Sequence, residues 1–384
     1  MPASDALYLD HASTTPQRPE VTEAIAAAQA EAFANPSSQH AAGRHAKRIL
    51  EEARERILAC LGARATGSDR DRLVFTSGAS EANRLAILGV GRGPAGAVAT
   101  SARDHSSLRL AAAALAPRGW SHATLPLDHA GRIDRAAVAA WLRDASALPT
   151  RLLATTLVCG QTGSHDDLAS LASALDATTL VHADATQAIL TTDLSFATLP
   201  VSSLTLAPHK FGGPRGIGAA VIRGGLTLDP LLPGTQEMGL RAGTEAVALA
   251  VGFARSLELA VAERAAAVAR LSAVRERFER GVLAAVGPAA ARVIAADAER
   301  SPHISTIAFP GRDRQAIVMA ADLAGLCCAT GSACSSGSSE PAPALAAMGL
   351  AAEIVRGAVR FSFGRETTSD DIDRAIRILH DAVR

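Results

Sequence analysis

Short apolar runs alternate with helical patterns between residues 72 and 223, and this alternation restricts the fold more than any other feature of the chain. The apolar runs are nearly continuous, as is typical of strands that are covered on both faces. Strands that alternate with helices predict βαβ units around a mainly parallel sheet, and therefore an α/β fold. The strand patterns lie at Arg72–Thr76, Ala97–Ser101, 151–158, 179–183, Ser203–Leu206 and 217–223, and helical patterns begin near residues 80, 106 and 167.

The chain is long enough for two lobes. Its 384 residues exceed the roughly 250–300 at which a single hydrophobic core stops growing. Residues 245–286 form a long helical pattern, one helix or two, which we expect to bridge the lobes. We predict a large domain over residues 16–260 and a smaller α+β domain that combines residues 1–15 with 261–384. In the second lobe, strand patterns lie at 303–309 and 359–363, and helical patterns at 313–323 and 369–383.

Composition excludes several classes of protein. The formal net charge is zero and no basic stripe occurs, so direct binding of nucleic acid is not expected. The first ten residues lack both a basic start and an apolar run, and no apolar stretch approaches ~18 residues, so neither a signal peptide nor a membrane span is predicted. The five cysteines form no paired C-x-x-C motif, which argues against a structural zinc site, and no metal is expected. A cytoplasmic protein with free thiols fits best.

Polar residues collect where the predicted strands end. Because ligands of open α/β sheets bind beyond the carboxyl ends of the strands, these residues are expected to share one site. Each also has an ordinary interpretation: Ser80 as a helix N-cap, His105 as a capping or core residue, Asp184 as the N-cap of the next segment. The residues that follow strand patterns are Gly78, Ala79, Ser80, His105, Asp184, Gln187, His209 and Lys210.

Lys210 is the hardest of these residues to explain structurally. It lies in APHKFGGPRG, a segment whose glycines and prolines constrain the loop, and a merely solvated lysine needs no such setting. Pyridoxal 5′-phosphate (PLP) requires a lysine for its aldehyde and an acid against its pyridine nitrogen. It also needs a phosphate cradle, for which a helix N-terminus is suited, and a flat partner for its ring. Lys210, Asp184, the turn at residues 78–80 and His105 supply one of each.

At this point the sequence resembles a known family. It is similar, nearly from end to end, to the class V aminotransferase family of fold-type I PLP enzymes, and specifically to the cysteine desulfurases of the NifS and IscS type. This resemblance implies a large domain with a mainly parallel seven-stranded sheet and a smaller α+β C-terminal domain. The segments that carry it are YLDHASTTP (8–16), NPSSQHAAGR (35–44), FTSGASEAN (75–83), HADATQA (182–188), APHKFGGPRGIGA (207–219), LRAGTEAV (240–247), TGSACSSGSSEP (330–341) and RFSFGRETTSDDID (360–373).

The resemblance implies how the cofactor is held. Lys210 carries PLP, Asp184 meets the pyridine nitrogen, and Gln187 meets the ring hydroxyl. His105 stacks on the ring and assists proton transfer. The phosphate is held by Gly78, Ala79, Ser80 and His209, together with Thr244 from the second subunit of a homodimer.

The resemblance also implies the reaction. Arg360 clamps the carboxylate of L-cysteine with its bidentate guanidinium. Cys334 takes the sulfur as a persulfide, L-alanine is the other product, and an unidentified acceptor protein receives the sulfur. Cys334 lies among glycines and serines, unlike Cys327 and Cys328, whose apolar neighbours are typical of buried cysteines. A polar segment suits a thiol that must react at the active site and then deliver sulfur elsewhere.

Three departures from the family pattern bear on function. The family's Asn-Asn-Glu-x-Gly segment reads Cys159-Gly160-Gln161-Thr162-Gly163 here, so Gly160 replaces an asparagine that helps to hold the cofactor hydroxyl and the substrate carboxylate. A charge-assisted hydrogen bond of this kind contributes roughly 1.5–3 kcal/mol, so weaker or altered substrate binding is expected. Arg84 replaces a common asparagine, and Ala207 replaces a frequent phosphate-binding serine. Cys159 is either a second thiol near the cofactor or a buried residue at a strand end.

Three hypotheses follow from these residues. The leading one is a homodimeric cysteine desulfurase. The second is another class V PLP enzyme, such as a selenocysteine or other C–S lyase or an aminotransferase, whose substrate differs because of Cys159-Gly160-Gln161. The third is a non-catalytic paralogue that serves as a partner subunit, which the presence of Lys210, Asp184 and Cys334 argues against.

Overall fold

The computed structural model of the chain describes residues 6–90, 95–148, 150–331 and 340–384. The strands are β1 (Leu7–Tyr8), β2 (Arg72–Thr76), β3 (Ala97–Ser101), β4 (Ser121–Leu125), β5 (Arg151–Thr156), β6 (Leu180–Asp184), β7 (Ser203–Leu206), β8 (Gly218–Ile222), β9 (Arg292–Val293), β10 (Ile304–Ala308), β11 (Leu326–Cys327) and β12 (Ala358–Ser362). The helices are α1 (Pro19–Glu31), α2 (Ala41–Cys60), α3 (Ala79–Gly89), α4 (Ser106–Ala113), α5 (Arg135–Asp144), α6 (Leu168–Ser173), α7 (Val247–Val286), α8 (Arg314–Leu323), α9 (Pro343–Ala347), α10 (Ala352–Arg356) and α11 (Ser369–Ala382).

A seven-stranded sheet forms the centre of the larger lobe. Its strand order is β2-β8-β7-β6-β5-β3-β4. The pairs β7–β6, β6–β5, β5–β3 and β3–β4 are parallel, whereas β8 is antiparallel to both of its neighbours. The prediction of a mainly parallel α/β sheet is therefore confirmed. Because only β8 is reversed, β2, β3, β5, β6 and β7 all end at the same edge.

Each predicted strand and helix has a counterpart in the structure, with ends that differ by up to two residues, but other elements, among them the helices α1, α2 and α5 and the strand β4, were not predicted. Strand β4 was not predicted, because its sequence SHATL lies at the edge of the sheet with mostly exposed side chains and so contains no apolar run. The long helical pattern is a single 40-residue helix, α7. The alternative interpretation of Ser80 as an N-cap is wrong, since α3 begins at Ala79 and its N-cap is Gly78.

The two largest hydrophobic clusters of the described residues lie in the two lobes. One packs helices α2 and α7 against the seven-stranded sheet, with Phe196 and Phe253 fully buried at its centre. The other surrounds the three-stranded sheet β12-β10-β9 and contains Phe278, Phe361 and the N-terminal Leu9. Helix α7 crosses residue 260 without a break, so the boundary between residues 260 and 261 stays a prediction. Within the described ranges, no helix has the length and apolar character needed to cross a membrane.

The N-terminal segment, residues 7–15, contacts both lobes. Strand β1 pairs in parallel with β11 of the smaller lobe, and the backbone N–H of Ala12 donates to Ser362 Oγ at 2.8 Å. Farther along, the backbone N–H of Thr15 donates to the carbonyl of His209 in the larger lobe at 2.9 Å. This segment therefore runs along the junction at which the lobes meet.

A buried ion pair fixes a strained turn that precedes Thr244. The guanidinium of Arg54 donates to both carboxylate oxygens of Glu237, at 2.8 and 2.9 Å, and the Phe75 N–H donates to the same carboxylate at 2.8 Å. Glu237 and Met238 both have a positive φ, of 47° and 56°, which costs energy in residues other than glycine. The ion pair stabilises this conformation because the Glu237 carboxylate is held on three sides.

Candidate active site

Lys210 lies on a rigid turn at the end of β7. A short 3-10 helix, Pro208–Lys210, follows the strand, and Lys210 Nζ donates to the carbonyls of Ala12 and Ser13, both at 2.7 Å. Gly212 has a φ of +83°, and a Cβ there would lie 2.6 Å from the Arg18 side chain. The structure thus accounts for Gly212, two residues after the lysine. It also places the ammonium group against the N-terminal segment.

Asp184 is the last residue of β6 and is 3% exposed. Its Oδ1 accepts the backbone N–H of Thr186, and its Oδ2 accepts Asn83 Nδ2, each at 2.9 Å. Asn83 Oδ1 lies 3.0 Å from Nε2 of His182, a residue whose pKa burial lowers to about 4. His182 Nδ1 in turn lies 2.8 Å from Ser203 Oγ. The carboxylate therefore rests on a buried polar network rather than in solvent.

His105 follows β3 as the N-cap of α4. Its Nδ1 accepts the backbone N–H of Ser107 at 3.2 Å and lies 2.8 Å from Ser107 Oγ. The ring is exposed in the chain, which leaves its face accessible to a ligand. The capping role proposed as an ordinary interpretation is correct, and it does not conflict with contact to a cofactor, because capping uses only the ring edge.

The turn at residues 78–80 presents the N-terminus of α3 at the same edge. No side chain caps this helix, and a Cβ placed on Gly78 would meet nothing within 4 Å. A helix N-terminus that lacks a side-chain cap has backbone N–H groups that can bind an anion. His209, which precedes Lys210, has its Nδ1 3.1 Å from Thr14 Oγ1. Its pKa is lowered to about 4, first by burial and then by the Lys210 and Arg215 charges, so its ring is neutral at pH 7.

Gln187 is held by both ends of its amide. Its Nε2 donates to the carbonyl of Ala12 at 2.8 Å, and its Oε1 lies 3.1 Å from His303 Nε2. Burial is the first cause that lowers the pKa of His303 to about 3, so this ring is also neutral. Gln187 and Lys210 share the Ala12 carbonyl, which places both side chains at the N-terminal segment.

Arg360 extends from β12 of the smaller lobe to the same place and is 5% exposed. Its Nη2 donates to Asp10 Oδ1 at 2.9 Å and to Ser13 Oγ at 2.8 Å, and its Nη1 donates to the carbonyl of Gly160 at 2.8 Å. Its Nε is buried without a partner. The guanidinium is therefore held in one orientation, already paired with a carboxylate, and has an unused donor.

The Cys159-Gly160-Gln161 segment lies directly at Arg360. Cys159 is 1% exposed, so the structure places it as a buried residue that follows β5. A Cβ on Gly160 would meet only Gln187, at the ordinary contact distance of 3.8 Å. Both amide atoms of Gln161 are buried without a partner. The site thus has space where the family pattern has an asparagine.

Three of the sequence predictions need separate comment. Cys334 belongs to residues 332–339, which lie outside the described part of the chain. Thr244 is exposed in the single chain. Its contact with the cofactor of a second subunit stays a prediction. Cys327 and Cys328 are each partly buried, and Cys328 packs against the hydrophobic cluster of the smaller lobe, as expected of a buried cysteine, whereas Cys327 lies on β11 of a two-stranded sheet.

Sequence reasoning missed three residues of the site. Asn83 and His182 lie under Asp184, and Asp10 pairs with Arg360. All three occur in segments that carry the family resemblance, yet none stands out, because each could be an ordinary polar residue of a helix, a strand or a turn. A signal was available for His182, since a histidine two residues before a strand-end aspartate lies on the same strand face.

The residues at this edge fit PLP. A lysine, a buried carboxylate with both oxygens already accepting hydrogen bonds, an uncapped helix N-terminus and an accessible imidazole ring correspond to the aldehyde, pyridine nitrogen, phosphate and ring of the cofactor. The orphaned Nε of Arg360 adds a donor for a carboxylate substrate. The fit to PLP rests on side chains from several segments of the chain and not on any single motif.

Comparison with known proteins gives a consistent result at the level of sequence. The model of the family described as aminotransferase class-V matches residues 7–375. A cysteine desulfurase from Cereibacter sphaeroides is 36% identical over 379 residues, covering 98% of this chain and 95% of the relative. An IscS-like cysteine desulfurase from Mycobacterium tuberculosis is 34% identical over 385 residues, covering 98% of this chain and 96% of the relative.

Solved structures agree. A NifS-like protein from Rickettsia africae superposes with a TM-score of 0.88 at 24% identity and covers 98% of this chain and 99% of its own, which shows the fold. SspA in complex with cysteine has a TM-score of 0.78 at 27% identity, covering 94% of this chain and 99% of its own. DndA from Streptomyces lividans has a TM-score of 0.73 at 31% identity, covering 92% and 99% respectively.

Proposed function

The chain belongs to the class-V aminotransferase family, and from this membership we infer that it is a PLP-dependent cysteine desulfurase. The observation that carries this conclusion is the full-length similarity to cysteine desulfurases, at 34–36% identity over 97–98% of the chain. The site adds support, because Asp184 ends β6 and Lys210 follows the neighbouring strand β7 at one edge of the sheet, and Lys210 and Arg360 both contact Ser13. The SspA structure supports L-cysteine as the substrate, since that relative was solved with cysteine.

The overall reaction is balanced without another reactant. The C–S bond of L-cysteine breaks, and its sulfur forms an S–S bond with the sulfur of Cys334. The hydrogen of the Cys334 thiol is transferred to the organic product, which is L-alanine. PLP supplies an electron-withdrawing ring that draws electrons from the substrate Cα. Release of sulfide from the persulfide then requires an external thiol reductant or an acceptor protein.

In this proposal the cofactor is held by residues of the larger lobe. Lys210 forms the covalent bond to PLP, and the carbonyls of Ala12 and Ser13 orient its nitrogen. Asp184 meets the pyridine nitrogen and keeps it protonated, while Gln187 meets the ring hydroxyl. The phosphate lies against Gly78, Ala79, Ser80 and His209, with Thr244 from a second subunit.

The substrate carboxylate binds Arg360 in this proposal. The guanidinium already holds the Asp10 carboxylate, so it presents the planar geometry that a carboxylate requires. Its buried Nε lacks a partner, and a substrate oxygen supplies one. His105 would stack on the cofactor ring and assist proton transfer.

Assembly and location are part of the same proposal. A homodimer is supported by Thr244, which lies exposed beyond the turn that the Arg54–Glu237 pair fixes. The cysteines of the described residues are free, which fits a reducing compartment such as the cytoplasm. The acceptor that receives sulfur from Cys334 is a protein partner whose identity the chain does not specify.

A direct assay tests the function. Purified protein with PLP and L-cysteine is expected to release alanine and, under reductant, an equal amount of sulfide. A panel of other amino acids, including selenocysteine, separates the desulfurase from the alternative class V enzymes. Turnover of another amino acid without turnover of cysteine would favour the alternative, and a protein that stays colourless with added PLP would favour a non-catalytic subunit.

We predict that Gly160→Asn strengthens cysteine binding. A Cβ at Gly160 makes only an ordinary contact with Gln187, so the backbone accepts a side chain there, and the amide of asparagine adds a donor beside Arg360. A charge-assisted hydrogen bond of about 1.5–3 kcal/mol corresponds to roughly a tenfold or greater decrease in KM for cysteine. Steady-state kinetics measure the effect. Gly160→Ala, which adds a methyl group without a donor, is the control, and equal KM values for the two variants would contradict the prediction.

A further inference from the structure

A continuous chain of hydrogen bonds joins the carboxylate of Asp184 to the ring of His105. Asn83, which is fully buried on α3, uses its amide nitrogen twice: it donates to Asp184 Oδ2 and to Ser107 Oγ, both at 2.9 Å. Ser107 Oγ lies 2.8 Å from His105 Nδ1. The participants come from β6, α3 and the start of α4. The acid predicted to meet the pyridine nitrogen is thereby connected to the imidazole predicted to stack on the cofactor ring.

The direction of these hydrogen bonds is set at the Asp184 end. The backbone N–H of Thr186 can only donate, and it occupies Asp184 Oδ1. Since an ionised carboxylate only accepts, the amide nitrogen of Asn83 must face Oδ2, and its oxygen must face His182. His182 then donates from Nε2 and accepts the Ser203 hydroxyl at Nδ1. Burial lowers the pKa of His182 to about 4, which leaves its ring with the one hydrogen this arrangement needs.

At the His105 end the hydrogen bonds also run outward from the amide nitrogen of Asn83. Ser107 Oγ accepts from Asn83, so its hydroxyl hydrogen is directed to His105 Nδ1. The backbone N–H of Ser107, which can only donate, also points to Nδ1, at 3.2 Å. Two donors therefore converge on Nδ1. The backbone N–H groups of Thr186 and Ser107 fix the donor direction at the two ends of this series of hydrogen bonds.

We propose that Asn83 and Ser107 are positioning residues that hold His105 as the neutral ring with its hydrogen on Nε2. The acceptor at Asp184 thus determines which nitrogen of His105 carries the hydrogen. In this tautomer Nε2 presents an N–H that donates a hydrogen bond at the site, and Nε2 cannot accept a proton unless the hydrogen moves to Nδ1, where Ser107 supplies two donors. The catalytic use of this tautomer rests on the proposed function, whereas the tautomer itself does not.

Nitrogen NMR of the imidazole ring tests the proposal. In PLP-loaded protein labelled with ¹⁵N-histidine, the His105 signals, assigned with a His105→Gln variant, are expected to show a pyridine-type Nδ1 and a pyrrole-type Nε2. In Ser107→Ala the two shifts are expected to converge, because one of the two donors to Nδ1 is lost and the tautomers exchange. Ser107→Thr keeps the hydroxyl and is expected to restore the wild-type shifts.

The controls separate this proposal from the function. Ser106→Ala removes the neighbouring hydroxyl on the same helical turn and is expected to leave the His105 shifts unchanged. PLP affinity is expected to stay unchanged in Ser107→Ala, since Asp184 keeps Asn83 and Thr186, while kcat falls. Hydrogen on Nδ1 in the wild-type protein, or wild-type shifts in Ser107→Ala, would overturn the proposal. A protein with the expected tautomer that fails to desulfurate cysteine would overturn only the function.

Discussion

Lys210→Ala is expected to abolish covalent binding of PLP and to reduce desulfurase activity by about 10²–10⁴-fold or more. The residue is the predicted attachment point of the cofactor, and no other amine lies on that loop. The chain contains two lysines, Lys47 and Lys210. After borohydride reduction, peptide mass mapping can therefore find the trapped cofactor only on the Lys47 peptide or the Lys210 peptide. The absorbance of the bound cofactor gives an independent measurement.

Lys47 provides the matched control for this experiment. It lies on α2, where its Nζ pairs with Glu51 at 2.9 Å, and Lys47→Ala is expected to keep full activity and colour. Lys210→Arg keeps a cation that can donate to the Ala12 and Ser13 carbonyls, so it separates loss of chemistry from loss of local structure. Cofactor trapped on the Lys47 peptide, or an active Lys210→Ala protein, would refute the assignment.

Cys334→Ala is expected to abolish both sulfide and alanine formation, with a loss of about 10²-fold or more, while PLP absorbance is retained. Cys334 is the predicted acceptor of substrate sulfur, so its removal leaves the C–S bond without a thiol to attack it. Incubation with cysteine followed by intact-protein and peptide mass spectrometry is expected to locate one added sulfur on the peptide that contains Cys334.

The other cysteines provide controls with a physical basis. Burial raises the pKa of Cys328 to about 12, so at neutral pH this residue stays a thiol and is a poor nucleophile. Burial also raises the pKa of Cys60 and Cys327, and Cys159 is 1% exposed. Cys328→Ala is therefore expected to keep sulfide release. An added sulfur on Cys328 or Cys159, or full activity in Cys334→Ala, would show that a different thiol carries the reaction.

Sequence reasoning was most reliable for strands buried on both faces. Strands β2, β3 and β7 were predicted with their observed ends, because their apolar runs stop where the sheet stops. It failed for β4, whose outward position at the sheet edge removes the need for apolar side chains. The same logic explains why Lys210, Asp184 and His105 could be assigned to one edge: strand direction alone brings them together.

The supporting network could not be predicted in this way. Asn83 and Asp184 are 101 residues apart, and Asp10 and Arg360 are 350 apart, so no local spacing connects them. The orientation of an amide or a hydroxyl depends on which donors and acceptors surround it in three dimensions. Residue type indicated where chemistry would occur, but only the packed structure shows how Asn83 distributes its hydrogen bonds.

The N-terminal segment has a consequence for the order in which this enzyme forms. Residues 12 and 13 supply acceptors for Lys210 and contacts for Ser362 and Arg360, which are made much later than residues 12 and 13. Contacts of such long sequence separation form late, because closing the intervening loop costs entropy before the contact can stabilise anything. During synthesis the larger lobe can collapse on its own sheet, but residues 12 and 13 make these contacts only after Arg360 and Ser362 have been made. Competence to hold the cofactor in its final geometry is thus acquired only once β12 has been synthesised.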